Sequence, residues 1–60
     1  MPSPVRFAVV RRLLEGKGYA LTKISGSHHK FTKAGCQPLS IPVHRNQVKY
    51  VYYKIAEEAP

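Results

Sequence analysis

Residues 19–44 read YALTKISGSHHKFTKAGCQPLSIPVH, three strand-like segments separated by turn signals. Tyr19 to Ile24 is rich in β-branched and aromatic side chains and is bounded by Gly18 and by Ser25-Gly26, the pattern of a strand closed by a turn. Ser27 to Lys33 makes a second strand and Ala34-Gly35 a second turn signal. Gln37 to His44 makes a third, in which Leu39, Ile41 and Val43 alternate strictly with Ser40, Pro42 and His44. Three strands joined by short turns predict an antiparallel meander.

The flanking segments predict helices. Ser3 is an N-cap residue and Pro4 suits the first helical position, so helix one is expected to run from there to about Lys17. Phe7, Val10, Leu13 and Leu14 form its apolar stripe, with Arg11, Arg12 and Glu15 on the other side, and Gly18 supplies a left-handed stop. Beyond the strands, Asn46 is expected to cap a last helix in which Val48, Val51, Tyr52, Ile55 and Ala59 face inward, while Lys49, Lys54, Glu57 and Glu58 face solvent. Each helix has one apolar stripe to bury, so both must cover the same sheet face and leave the other face open. The expected fold is therefore α+β, one small α-β-β-β-α domain over residues 1–60, with no repeat, linker or low-complexity segment.

A chain of 60 residues buries only about 60% of its unfolded surface, so any active site must be shallow. Ten Lys and Arg residues against three acidic ones leave a formal net charge of +7, which favours a polyanionic partner through phosphate contacts and counterion release. Cys36 is the only cysteine and has no partner for an intramolecular disulfide, which favours the cytoplasm. Phe7 to Val10 is the longest apolar run before Arg11 and Arg12, too short for a signal peptide or a membrane span. A soluble cytoplasmic protein with no membrane partner is expected.

The segment Gly26-Ser27-His28-His29-Lys30-Phe31 concentrates two of the three histidines just after a turn. Strand alternation places His28, Lys30 and Thr32 on one face and Ser27, His29 and Phe31 on the other. If Phe31 points into the core, His28 shares the open face with Ser40, Pro42 and His44. A catalyst must meet its substrate, which selects His28, with His29 as second choice; a one-residue bulge in this strand would reverse the assignment. An imidazole can take a proton from a ribose 2′-hydroxyl or return one to a leaving 5′-oxygen. Lys23, Lys30 or Lys33 can hold the phosphate, Ser27 can add a hydrogen bond and His44 can contact RNA from the same face. A pair of partly exposed strand histidines bonding only backbone or phosphate explains the same spacing.

Other chemistries find less support. His28 or His29, Cys36 and His44 are zinc-ligand types, but their spacing matches no finger and adjacent strand histidines point apart. No arrangement suits a Ser or Cys nucleophile triad. The chain has no Asp, and its glutamates, Glu15, Glu57 and Glu58, all fall on predicted helices, which disfavours paired-carboxylate and carboxylate-bound magnesium mechanisms. There is no glycine-rich phosphate loop, and no metal or small-molecule cofactor is expected. Tyr50, Tyr52 and Tyr53 beside Lys49 and Lys54 can stack bases or simply pack along the helix. Arg11, Arg12 and Lys17 read as a solvated helix face. The same basic charge also fits a non-catalytic RNA-binding module, or a protein-interaction domain that docks an acidic partner.

The order of these motifs over about residues 9–56 resembles the HicA toxin family, also called the YcfA-like family, of prokaryotic toxin-antitoxin modules. The likeness rests on Leu13-Leu14-Glu15 leading into Gly18-Tyr19, on Gly26-Ser27-His28-His29 with Phe31, and on Ile41-Pro42-Val43-His44 before a closing helix. The resemblance implies a fold akin to the double-stranded-RNA-binding domain and a messenger-RNA interferase activity, metal-independent, that uses the histidine of the GSH motif, here His28. It also implies a HicB-like antitoxin as partner, covering that histidine. The last helix departs from the family pattern, since Gln47-Val48-Lys49-Tyr50-Val51-Tyr52-Tyr53 replaces a glycine-containing start and a Leu-rich stretch.

Overall fold

Two tight turns of unlike geometry organise the chain. Gly26 adopts φ +59° while Ser27, the other residue of the loop between the paired Ser25 and His28, keeps a negative φ. A positive φ at the first central position only is the type II′ pattern, for which glycine carries no steric cost. Arg45 and Asn46 are both left-handed, at φ 52° and 62°, between His44 and Gln47, whose backbones exchange bonds of 3.0 and 2.8 Å. Two positive φ values in a two-residue loop make a type I′ hairpin.

The computed structural model describes residues 3–60 and, among them, β1 (Val5–Arg6), α1 (Phe7–Gly16), β2 (Ala20–Ser25), β3 (His28–Thr32), β4 (Leu39–Pro42), β5 (Gln47–Val48) and α2 (Tyr50–Glu58). It is an α+β fold. Strands β2, β3 and β4 form the expected antiparallel meander, and β1 and β5 add a small antiparallel ribbon. The third strand, Leu39–Pro42, is shorter than the Gln37–His44 expected, although the Val43 N–H still donates to the Ser27 carbonyl at 2.7 Å in register with the ladder.

Both helix starts differ from expectation. Ser3 and Pro4 precede the ribbon and do not open a helix; Val5 pairs with Val48 and Arg6 with Gln47, and α1 begins at Phe7 with no side-chain cap. Asn46 does not cap α2, which starts at Tyr50 after Lys49. The short side chain that makes Asn a good cap also lets it tolerate the left-handed region, and here the turn claims it. With Val48 taken into β5, the phase of the last helix rotates. Ala56 is buried and Tyr52, Tyr53 and Ala59 pack on the core, whereas Val51 and Ile55, expected inside, are exposed.

The core is one cluster drawn from every layer: Val10 and Leu14 of α1, Tyr19, Phe31 of β3, Ile41 of β4, Val48 of β5 and Ala56 of α2. Both helices thus lie on the Phe31–Ile41 side of the meander. Gly18, at φ +96°, ends the first helical segment as anticipated. Lys17 is not a solvated residue of that helix. It is half-buried, and its ammonium donates to the main-chain carbonyls of Ala56 (3.0 Å), Glu57 and Ala59 (2.6 Å). Three donors on one nitrogen thus meet main-chain carbonyls at and just beyond the C-terminal end of α2, where the helix cannot satisfy all of its acceptors. Among the described residues no helix is long and apolar enough to cross a membrane.

Candidate functional site

The open face of the meander is set by register. In β3, His28 lies opposite Ser25 on one side and Pro42 on the other, and Lys30 lies opposite Lys23 and Ser40. Directly opposed residues share a face, so these six side chains belong together, away from Phe31 and Ile41. A β-bulge between Leu21 and Lys23 makes this arrangement. In a regular strand Leu21 and Lys23, two residues apart, would stand on one face; the bulge leaves Thr22 unpaired, its hydroxyl donating to the Lys30 carbonyl at 3.4 Å. With it, Leu21 pairs with Phe31 on the core side and Lys23 with Lys30 on the open side. The bulge lies in β2, so the alternation within β3 that separates the two histidines is intact.

A shallow depression of about 230 Å³ lies on this face, lined by Lys23, Ser25, His28, Lys30, Pro38, Leu39 and Ser40. His28 is exposed, and its Nδ1 is 3.4 Å from Ser40 Oγ, which leaves Nε2 as the ring nitrogen without a protein partner among the described residues. Lys23 and Lys30 face each other directly, and like charges in that position destabilise a sheet. No carboxylate lines the depression to offset them. An anion between the two ammonium groups would remove the repulsion, and a phosphodiester placed there would lie beside the imidazole.

His29 is placed differently. It is half-buried on the core side, its ring meets Phe7 edge-on at 4.7 Å between centroids, and its Nδ1 donates to the Ser27 carbonyl at 3.1 Å. Ser27 serves through its backbone, accepting from both Val43 and His29, and does not line the depression. Nor do Lys33 and His44. Lys33 lies just past the end of β3, where it stands 5.5 Å over the Tyr19 ring and donates to the main-chain oxygen of Pro60 at 2.9 Å. His44 falls beyond the end of β4, in the hairpin with Gln47. Of the RNA contacts expected from sequence, the depression unites Lys23 and Lys30 with His28; Ser40, Ser25, Pro38 and Leu39 join them through cross-strand register. Alternation alone had placed Ser40 on the open face, but its proximity to His28 depends on how β3 and β4 align.

Among the described residues no three His, Cys, Asp or Glu side chains converge as a metal site would require, so Cys36 and His44 do not join His28 or His29. The tyrosines of α2 are engaged with the helix itself. Tyr50 and Tyr53 pack at 5.7 Å, and Tyr53 donates to Glu57 at 3.1 Å. That bond holds the Tyr53 hydroxyl above its ordinary pKa, while the bonds from Lys54, first, and Tyr53 keep Glu57 below the usual carboxylate value. Burial, and then the neighbouring Cys36 thiol, pushes the Tyr19 phenol up. No protein-family model matches the chain, and neither a curated protein nor a solved structure is similar enough to count as a match.

Proposed function

We propose that this protein is a HicA-like toxin, an endoribonuclease that cuts messenger RNA in the cytoplasm without a metal or small-molecule cofactor and is held inactive by a HicB-like antitoxin. One observation carries the reading: an exposed imidazole sits in a depression where two lysines oppose each other across the ladder with no carboxylate among the lining residues. That is the electrostatic shape of a site for a phosphodiester beside a proton acceptor. His28 takes the proton of the ribose 2′-hydroxyl as O2′ bonds to phosphorus, and the P–O5′ bond breaks. The departing 5′-oxygen then recovers the proton from the imidazolium or from water. Lys23 and Lys30 stabilise the extra negative charge at phosphorus in the transition state, and Ser40 orients the ring through Nδ1.

The test is cleavage of a long single-stranded RNA in EDTA by the parent, His28→Ala and His29→Ala, with folding checked by circular dichroism. Loss of cleavage in folded His28→Ala alone supports the proposal, and equal cleavage by that variant and the parent sinks it. A second reading, a non-catalytic RNA-binding module, draws on a specific observation. His28 is the one imidazole lining the depression, so there is no second imidazole there to serve as the opposite acid. Salt-dependent RNA binding with no cleavage at any enzyme concentration would favour it.

A further inference from the structure

A second and larger hollow, of about 390 Å³, lies at the ribbon end of the molecule, lined by Arg6, Phe7, Ala8, Arg45, Asn46 and Gln47. Its two arginines are far apart in the chain, Arg6 in β1 and Arg45 in the turn before β5, and are brought together by the pairing of β1 with β5. Both are exposed. Among the described residues neither makes an ion pair or a side-chain hydrogen bond, whereas Arg11 is engaged by Glu15, Lys54 by Glu57, and Lys17 and Lys33 by main-chain oxygens. No carboxylate lines the hollow. Arg45 also occupies a left-handed backbone position, φ 52°, that a glycine or asparagine would fill with less strain, so the hairpin holds a guanidinium where local conformation alone would not select one.

The hollow is close to the candidate active site. Arg45 is three residues beyond Pro42, the cross-strand partner of His28, so the backbones at Arg45 and His28 are no more than about 17 Å apart. Phe7 lines the hollow and its ring touches His29, the inner-face neighbour of His28 in β3, so a strand held at both sites passes from the open face round the edge of the meander. Two unpaired guanidiniums, each able to grip phosphate oxygens with paired N–H donors, with the Asn46 side chain beside them, fit a backbone phosphate. We infer that the Arg6–Arg45 hollow is a second phosphate-binding site, which holds the same RNA strand at a phosphate away from the one being cut and so positions the scissile bond at His28. This rests on the RNA-cleaving reading above. Arg6 and Arg45 are positioning residues in it and take no part in proton transfer.

The test uses Arg6→Gln/Arg45→Gln, with Arg11→Gln/Arg12→Gln as a control that removes the same charge from the exposed face of α1. Binding of a labelled single-stranded 20-mer RNA is measured in a His28→Ala background between 50 and 300 mM salt. The Arg6/Arg45 pair should weaken binding at least tenfold and make the slope of log K against log salt shallower by about 1.4, two contacts at about 0.7 each. The control should change binding less than threefold. With His28 intact, the Arg6/Arg45 pair should raise KM and leave kcat in place. Equal losses in both pairs would mean a diffuse field and overturn the inference. Unchanged RNA binding in the Arg6/Arg45 pair, while the parent still cleaves, would overturn it and spare the functional reading. So would loss of polyglutamate binding alone, which would assign the hollow to an acidic protein. Failure of the unmodified protein to bind or cleave RNA would end both.

Discussion

His28 and His29 are neighbours in the chain and occupy opposite faces of one strand, and the contrast between those faces carries most of what the molecule has to say about function. The open face is exposed, cationic and without carboxylates around His28. The inner face is packed, with Phe31 and Ile41 fully buried and His29 closed between Phe7 and the Ser27 carbonyl. The same imidazole is a candidate proton carrier on one side and a packing and hydrogen-bonding group on the other. The difference comes from the pleat and not from residue type: alternation relative to Phe31 sorts two identical side chains to opposite faces.

The sharpest way to break the comparison is at His28 itself. His28→Ala should cost 10²- to 10⁴-fold in cleavage rate, the usual worth of a general acid–base group, and leave the melting temperature of this exposed position nearly unchanged; a folded variant that keeps its activity would erase the functional distinction between the faces. Phe31→Ala, three residues on, should do the reverse. Removing a fully buried phenyl ring typically costs about 3–5 kcal/mol, comparable with the whole stability of a domain this small, roughly 3–5 kcal/mol, so thermal unfolding should show a chain largely unfolded at 37 °C. His29→Ala sits between the two. It loses the edge contact with Phe7 and the bond to Ser27 and should destabilise by about 1 kcal/mol, read by urea denaturation, with cleavage within a few-fold of the parent. A larger loss of cleavage than of stability there would transfer the catalytic role to the inner face.

The smallest effect tests how the open face is assembled. Removing Thr22 deletes the bulged residue and should leave Lys23 opposite Lys30, and Leu21 on the core side, in a now regular ladder. Most one-residue deletions in a strand invert its faces; this one is expected to retain RNA cleavage and lose only a modest amount of stability, the single Thr22–Lys30 bond being worth about 1 kcal/mol. Collapse of the fold on deletion would mean that the bulge is needed for more than facing Lys23 outward.

Much of this was legible in the chain. Alternation in Leu39, Ile41 and Val43, the glycine before His28 and the aromatic at Phe31 determined by themselves a meander with His28 outside and His29 inside, since the two-residue period of a strand is a local property. The charge of +7 with three glutamates, none in the strands, likewise determined a cationic open face. Tertiary pairing decided what local rules could not. Val5–Arg6 and Gln47–Val48 are too short to be strands except against each other, and that pairing displaced both expected helix starts, turned Asn46 from a cap into a turn residue and rotated the inward face of α2 from Val51 and Ile55 to Ala56. It also set Arg6 beside Arg45, 39 residues apart in the chain. Register across three strands, together with the bulge at Thr22, gathered Lys23, Lys30 and Ser40 around His28 and left Lys33 and His44 outside. Contacts between distant segments form only if the whole core does, and no window of sequence read alone contains them.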